Sequence, residues 1–162
     1  MDVAIDLFKK QGFEQTSMEQ IAQETDVAKG TLYNYFPSKG SILVAYAQRN
    51  VDNHEAVWQR IIDGNPDTRS RLSALLEFCQ EWISHNREPF KIYTISRVQD
   101  KLSSRSDPEE QKGGMQRVYE RIFRRGQEEG EVRGDIPAEA MAALFHSHMG
   151  IIMMGWLMQE DA

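Results

Sequence analysis

The 162-residue chain contains one cysteine, Cys79, so no disulfide can form within it, which suits a reducing compartment. It has no excess of positive charge: 19 basic residues face 25 acidic ones, a net charge of −6. A strongly basic footprint is therefore absent, although that is the usual mark of a nucleic-acid binder. No continuous apolar run approaches the eighteen or more residues of a membrane span. The first thirteen residues are amphipathic and charged rather than a secretory leader. No glycine-rich phosphate loop, nucleophile motif or HExxH metal motif is present, and the acidic residues are scattered as solvated helix faces, so an enzyme is not expected. No internal repeat or low-complexity tract stands out. What remains is a chain long enough for one large or two small packed units.

The informative stretch is Thr16 to Leu43, TSMEQIAQETDVAKGTLYNYFPSKGSIL. It reads as two short helices joined by a tight turn and followed at once by a third. Thr16 or Ser17 opens the first of these as a hydroxyl cap, and Glu19 is placed to complete a capping box. Ile21, Val27 and Leu32 are spaced to meet inside the unit, and Ala22 is small where helices must cross. Asp26 falls in the turn, where a positive φ is needed that Asp tolerates better than most residues. This is the spacing of a helix-turn-helix, whose second helix lies in the DNA major groove. That second helix is expected over about Ala28 to Tyr35, with Lys29, Gly30, Thr31, Tyr33 and Asn34 on its exposed face. Lys pairs with guanine O6 and N7, Asn with adenine, and the Thr methyl with the thymine methyl. Gly30 permits close backbone approach. Thr16, Ser17, Tyr35 and Lys39 are placed to touch phosphate, and Ser38 to cap the next helix.

These residues resemble the TetR family of bacterial repressors. The likeness is carried by Phe8, Gly12-Phe13, Thr16-Ser17, Ile21-Ala22, Val27, the run Gly30 to Phe36, and Ser38-Lys39 with Leu43. It is strong over about the first 45 residues and general beyond them. The resemblance implies an all-α homodimer with a three-helix DNA-binding domain over 1–45 and a helical ligand-binding and dimerisation domain over 46–162. It implies a palindromic double-stranded operator and a small-molecule effector that lowers operator affinity; the single cysteine, Cys79, suits a cytoplasmic location. The family pattern also has Gly where Asp26 stands and an acidic residue where Gly40 stands. By the same likeness, a further turn and a basic arm would precede Met1, and one more helix would follow Ala162.

Charge weighs against the DNA reading. Residues 1–50 hold five basic and six acidic side chains, and 51–162 hold fourteen and nineteen. The head is less acidic than the body, and Lys29 and Lys39 fall on the DNA side while Glu19 and Glu24 are expected to point elsewhere. The rival reading is a helical dimeric interaction module without sequence-specific DNA binding.

Beyond the head, helices are expected throughout. One spans Ser38 to about Asp63 and is stopped by Gly64-Asn65-Pro66; the next is capped by Asp67. Further helices are expected over about Pro89 to Leu102, from Asp107-Pro108 to near Gly130, and from Pro137 onward. The last is apolar nearly all round, as in a helix buried on several sides. Trp58, Phe78, Trp82, Phe90, Tyr93, Tyr119, Phe123, Phe145, His146 and Met149 are candidate linings of an apolar effector pocket, since aromatic walls with few polar groups suit small molecules. Most of them are equally suited to filling a core. By the family resemblance, Met141, Phe145, Ile152 and Trp156 lie at the dimer interface. His54, His85, His146 and His148 do not converge at ligand spacing, so no metal or other cofactor is expected. Apolar neighbours make Cys79 a structural residue rather than a redox sensor.

Overall fold

The computed structural model describes residues 1–102 and 114–159, with side chains omitted for 96–102. Among the described residues every regular element is a helix: α1 (Asp2–Gln11), α2 (Met18–Glu24), α3 (Lys29–Tyr35), α4 (Lys39–Asn53), α5 (Glu55–Gly64), α6 (Thr68–His85), α7 (Arg87–Leu102), α8 (Gly114–Glu128) and α9 (Ala138–Met158). The expected loop at Ser103–Ser106 and helix start at Asp107-Pro108 lie outside the described residues.

The chain divides into two compact units, one built from residues 1–49 with α7, the other from residues 50–85 with α8 and α9. In the first, Ala4, Ile5 and Phe8 of α1, Ile21 and Ala22 of α2, Leu32 of α3, and Ile42 and Leu43 of α4 form one buried cluster. Ile92 and Tyr93 of α7 pack against it. Burial of these side chains stabilises short helices that would not persist alone, since α2 and α3 have only seven residues each.

Local signals explain the helix ends. Ser17 caps α2 by accepting from Gln20 N at 3.0 Å. Glu19 does not complete the expected capping box, because Gln20 is the third helical residue and Glu19 pairs elsewhere. After α2, Asp26 takes φ 52°, and the Asp26 and Val27 amides donate to Gln23 O and Ala22 O. That is a Schellman stop with Asp in the left-handed position usually taken by Gly. Val27 follows this stop and is left 37 % exposed, so it does not join Ile21 and Leu32 in the core as its spacing suggests. Ser38 caps α4 through Ser41 N at 3.2 Å.

The expected single helix from Ser38 to Asp63 is two helices. It breaks at His54, whose Nδ1 sits 2.6 Å from Asn50 O, while the Trp58 indole donates to Val51 O at 2.8 Å. Both side chains take carbonyls that a continuous helix would need for its own ladder.

In the second unit Trp58, Ile62, Leu75, Val118, Tyr119, Ile122, Phe123, Ala138 and Ala142 form the core. Asp67 caps α6 by accepting from Ser70 N at 2.7 Å. The α9 helix is not buried on several sides. Its buried positions are Ala138, Ala142 and Leu157, while Leu144, Ile151, Ile152 and Met158 are exposed. By length and composition alone α9 is long and apolar enough to cross a bilayer, although small and polar residues interrupt it and leave no continuous apolar run of eighteen residues.

Candidate nucleic-acid interface

The helix-turn-helix consists of α2, the Asp26 turn and α3. Leu32 anchors α3 to the head core, and this fixes which residues face outward. Lys29, Gly30, Thr31, Tyr33, Asn34 and Tyr35 are all exposed. Tyr35 is 76 % exposed, an unusual state for an aromatic side chain. A Cβ built on Gly30 meets nothing within 4 Å, so no packing within the chain requires glycine there.

Ser17 is exposed beside this face, with its hydroxyl engaged in the α2 cap. Thr16 is not available for the expected phosphate contact. It is 1 % exposed, its hydroxyl donates to Gly12 O at 2.9 Å, and its amide donates to Phe13 O. Thr16 is instead the hinge pin between α1 and α2. Lys39 is half-buried, donates to Phe13 O at 2.7 Å and lies 4.5 Å from the centroid of the Phe13 ring. Its ammonium has three protons, so two remain for an external acceptor.

Lys29 and Glu19 are joined at 2.5 Å. Glu19 thus belongs to the same surface as α3, where it was expected to point away. The mutual hydrogen bond lowers the Glu19 carboxyl pKa and raises that of Lys29.

The aromatic candidates divide between the two units. Phe90 and Tyr93, with ring centroids 5.9 Å apart, belong to α7 in the first unit. In the second unit Trp58 and Phe78 meet edge-on at 5.1 Å, joined by His54 at 5.2 Å from Phe78. Tyr119 meets Phe145 at 4.9 Å and His146 at 6.0 Å, and Phe123 meets Phe145 at 5.7 Å. Trp82 and Met149 are half-buried on α6 and α9. His54, weighed above only as a metal ligand, joins this aromatic group at the α4–α5 break. Burial raises the Tyr119 hydroxyl pKa and pushes the Cys79 thiol up to about 12, so Cys79 is held as an unreactive thiol. Of the residues expected at a dimer interface, Met141 and Phe145 pack into the core of their own unit, Trp156 is half-buried, and Ile152 is exposed.

The family model for "Bacterial regulatory proteins, tetR family" matches residues 1–46. The chain is 36 % identical over 72 residues to the HTH-type transcriptional repressor KstR of Rhodococcus jostii, covering 44 % of this chain and 34 % of that protein. It is 30 % identical over 89 residues to the HTH-type transcriptional activator FasR of Mycolicibacterium smegmatis, covering 55 % of this chain and 41 % of that protein. The chain thus spans well under half the length of these curated relatives. Among solved structures it is similar to Thermus thermophilus FadR, a TetR-family transcriptional repressor in complex with lauroyl-CoA. The TM-score there is 0.80 at 20 % identity, over 97 % of this chain and 80 % of that one. Bacillus subtilis FadR in complex with stearoyl-CoA gives 0.69 at 16 % identity, over 97 % and 84 %. At these identities the structural likeness is one of fold. Residues 1–46 thus match the DNA-binding region of the TetR family of bacterial regulatory proteins, and the chain as a whole shares the all-helical fold of the FadR structures.

Proposed function

We propose that the protein is a ligand-responsive transcriptional regulator, acting as a repressor. It binds a palindromic operator as a homodimer and is released by an apolar effector in the cytoplasm. The observation that carries the DNA part is the α3 face, where Lys29, Gly30, Thr31, Tyr33, Asn34 and Tyr35 stand exposed together on a helix anchored by Leu32. Donors for base edges and phosphates share that surface with two aromatic rings. Exposed apolar residues of α9, Leu144, Ile151, Ile152 and Met158, are the pairing surface of this reading, and a palindrome read by two α3 helices has its half-sites about 34 Å apart, one turn of DNA. A DNA-binding domain over 1–45 and an effector domain over 46–162 complete this division of labour.

The aromatic groups of the second unit support an apolar effector. The FadR structures bind lauroyl-CoA and stearoyl-CoA, and the effector proposed for this chain is of that class, a long acyl chain on a polar carrier. Coupling runs through α4, which begins in the first unit and ends in the second. Effector and operator then disfavour each other reciprocally. The reading of a helical interaction module without DNA binding is favoured by one observation, the slight acidic excess of residues 1–50.

Fluorescence anisotropy of a labelled operator duplex at low salt, titrated with stearoyl-CoA, tests both parts. The proposal expects a sequence-specific complex that stearoyl-CoA dissociates. Equal affinity for operator and scrambled duplexes supports the interaction module. An operator complex that no acyl-CoA alters removes the effector assignment.

A further inference from the structure

The cation at the start of α3 does not stand alone on the DNA face. Lys29 Nζ is 2.5 Å from Glu19 Oε1 and 5.8 Å from the centre of the Tyr33 ring. Both charged side chains are more than half exposed, so the pair is not required by the core. It joins α2 to α3 across the helix-turn-helix, at the end of the recognition helix that contacts base edges in this motif.

We propose that Glu19 is a specificity-determining residue: it holds Lys29 in an intrachain ion pair that opens productively only against a G·C base pair. The inference rests on the DNA-binding reading above. Its physical basis is an exchange. Any duplex can offer Lys29 a phosphate, but that leaves the Glu19 carboxylate facing the negative backbone without a partner. A G·C pair offers both partners at once. Guanine O6 and N7 accept from Lys29, and the cytosine N4 amine donates to the freed carboxylate. An A·T pair also has one donor, the adenine N6 amine, but sets it between the N7 and thymine O4 acceptors and beside the thymine methyl, so a carboxylate that reaches it lies against an acceptor on either side, whereas G·C sets its two acceptors together and its donor at the far edge. Glu19 therefore weakens binding everywhere except where it is answered. This gives the near-neutral head a reason to keep a carboxylate on its DNA face, since discrimination comes from the repulsive element as well as the attractive one.

The test uses the full chain and duplexes enriched from a random 20-base-pair library by the wild-type protein, against a scrambled duplex, followed by anisotropy over a KCl series. The proposal expects a G·C pair in each enriched half-site whose exchange for A·T weakens wild-type binding roughly ten-fold and weakens Glu19→Ala less than about three-fold. Glu19→Gln and Glu19→Ala should bind the scrambled duplex several-fold more tightly than wild type, and the enriched-to-scrambled ratio should fall. Glu24→Gln, an equal charge change on the same helix, controls for net charge and should leave that ratio unchanged. Lys29→Gln should remove the effect of Glu19→Ala in the double variant. If wild type enriches a sequence but Glu19 variants keep its ratio and base preference, this inference is overturned while the DNA-binding reading stands. If wild type enriches no sequence, both are overturned together.

Discussion

The Arg71 guanidinium forks onto the Glu129 carboxylate, with Nη1 2.5 Å from Oε2 and Nη2 3.1 Å from Oε1. Arg71 is 1 % exposed, and its Nε also donates to Ile62 O and Asn65 O at 3.1 and 3.2 Å. One side chain thereby satisfies the carbonyls at the end of α5 and ties them to the end of α8. Arg71→Ala leaves these buried acceptors without donors. We expect it to destabilise the protein by about 3 kcal/mol, read as a lower urea midpoint.

The same pair sets a response to acid. Hydrogen bonds from Arg71, then from Arg125, lower the Glu129 carboxyl from 4.5 to about 2. A depressed carboxyl contributes stability that is complete above its unfolded value and is lost as pH falls toward its folded one. Thermal melts between pH 5 and pH 2 should therefore show a falling melting temperature, and Glu129→Gln should flatten that fall.

Two glycines should respond oppositely to alanine. A Cβ on Gly126 would lie 2.2 Å from Thr68 Oγ1 and 2.7 Å from Val132 Cγ2, where Thr68 also donates to Glu131 at 2.6 Å. Gly126→Ala should lower stability by about 1–3 kcal/mol despite the better helix propensity of alanine. Gly30 has open space around it. Gly30→Ala should raise stability by about 0.5–1 kcal/mol while weakening operator binding, because the new methyl stands where DNA approaches. Calorimetry and anisotropy on the same two variants check this.

The α9 face should govern assembly. Ile151 is 72 % exposed and stands seven residues from both Leu144 and Met158, on the same side of the helix, and Ile152 is 61 % exposed. Ile151→Glu should shift the mass measured by sedimentation equilibrium from dimer to monomer and weaken binding to a two-half-site operator, with helix content retained.

The head was legible because its signals are local. Ser17, Asp26 and Ser38 act on backbone groups within three or four residues, and each ends or starts the helix that the sequence implies. Thr16, Val27 and Glu19 were misplaced because their partners depend on geometry that spacing does not encode: a carbonyl of the preceding turn, the side of the Schellman stop that faces solvent, and a lysine ten residues away. The break at His54 arose from side chains capturing carbonyls, which periodicity cannot show. Arg71 drew no notice because arginine is ordinarily a surface residue. The exposed side of α9 was hidden by its composition, which is equally apolar on the covered and the uncovered faces.

A protein whose α3 helix reads a palindrome selects that palindrome from random DNA. Selection of random duplexes by the purified protein, followed by sequencing, tests it most directly. The predicted result is an enriched pair of inverted half-sites centred about ten base pairs apart, lost when Tyr33→Ala replaces wild type. An unenriched pool from folded, dimeric protein would contradict it.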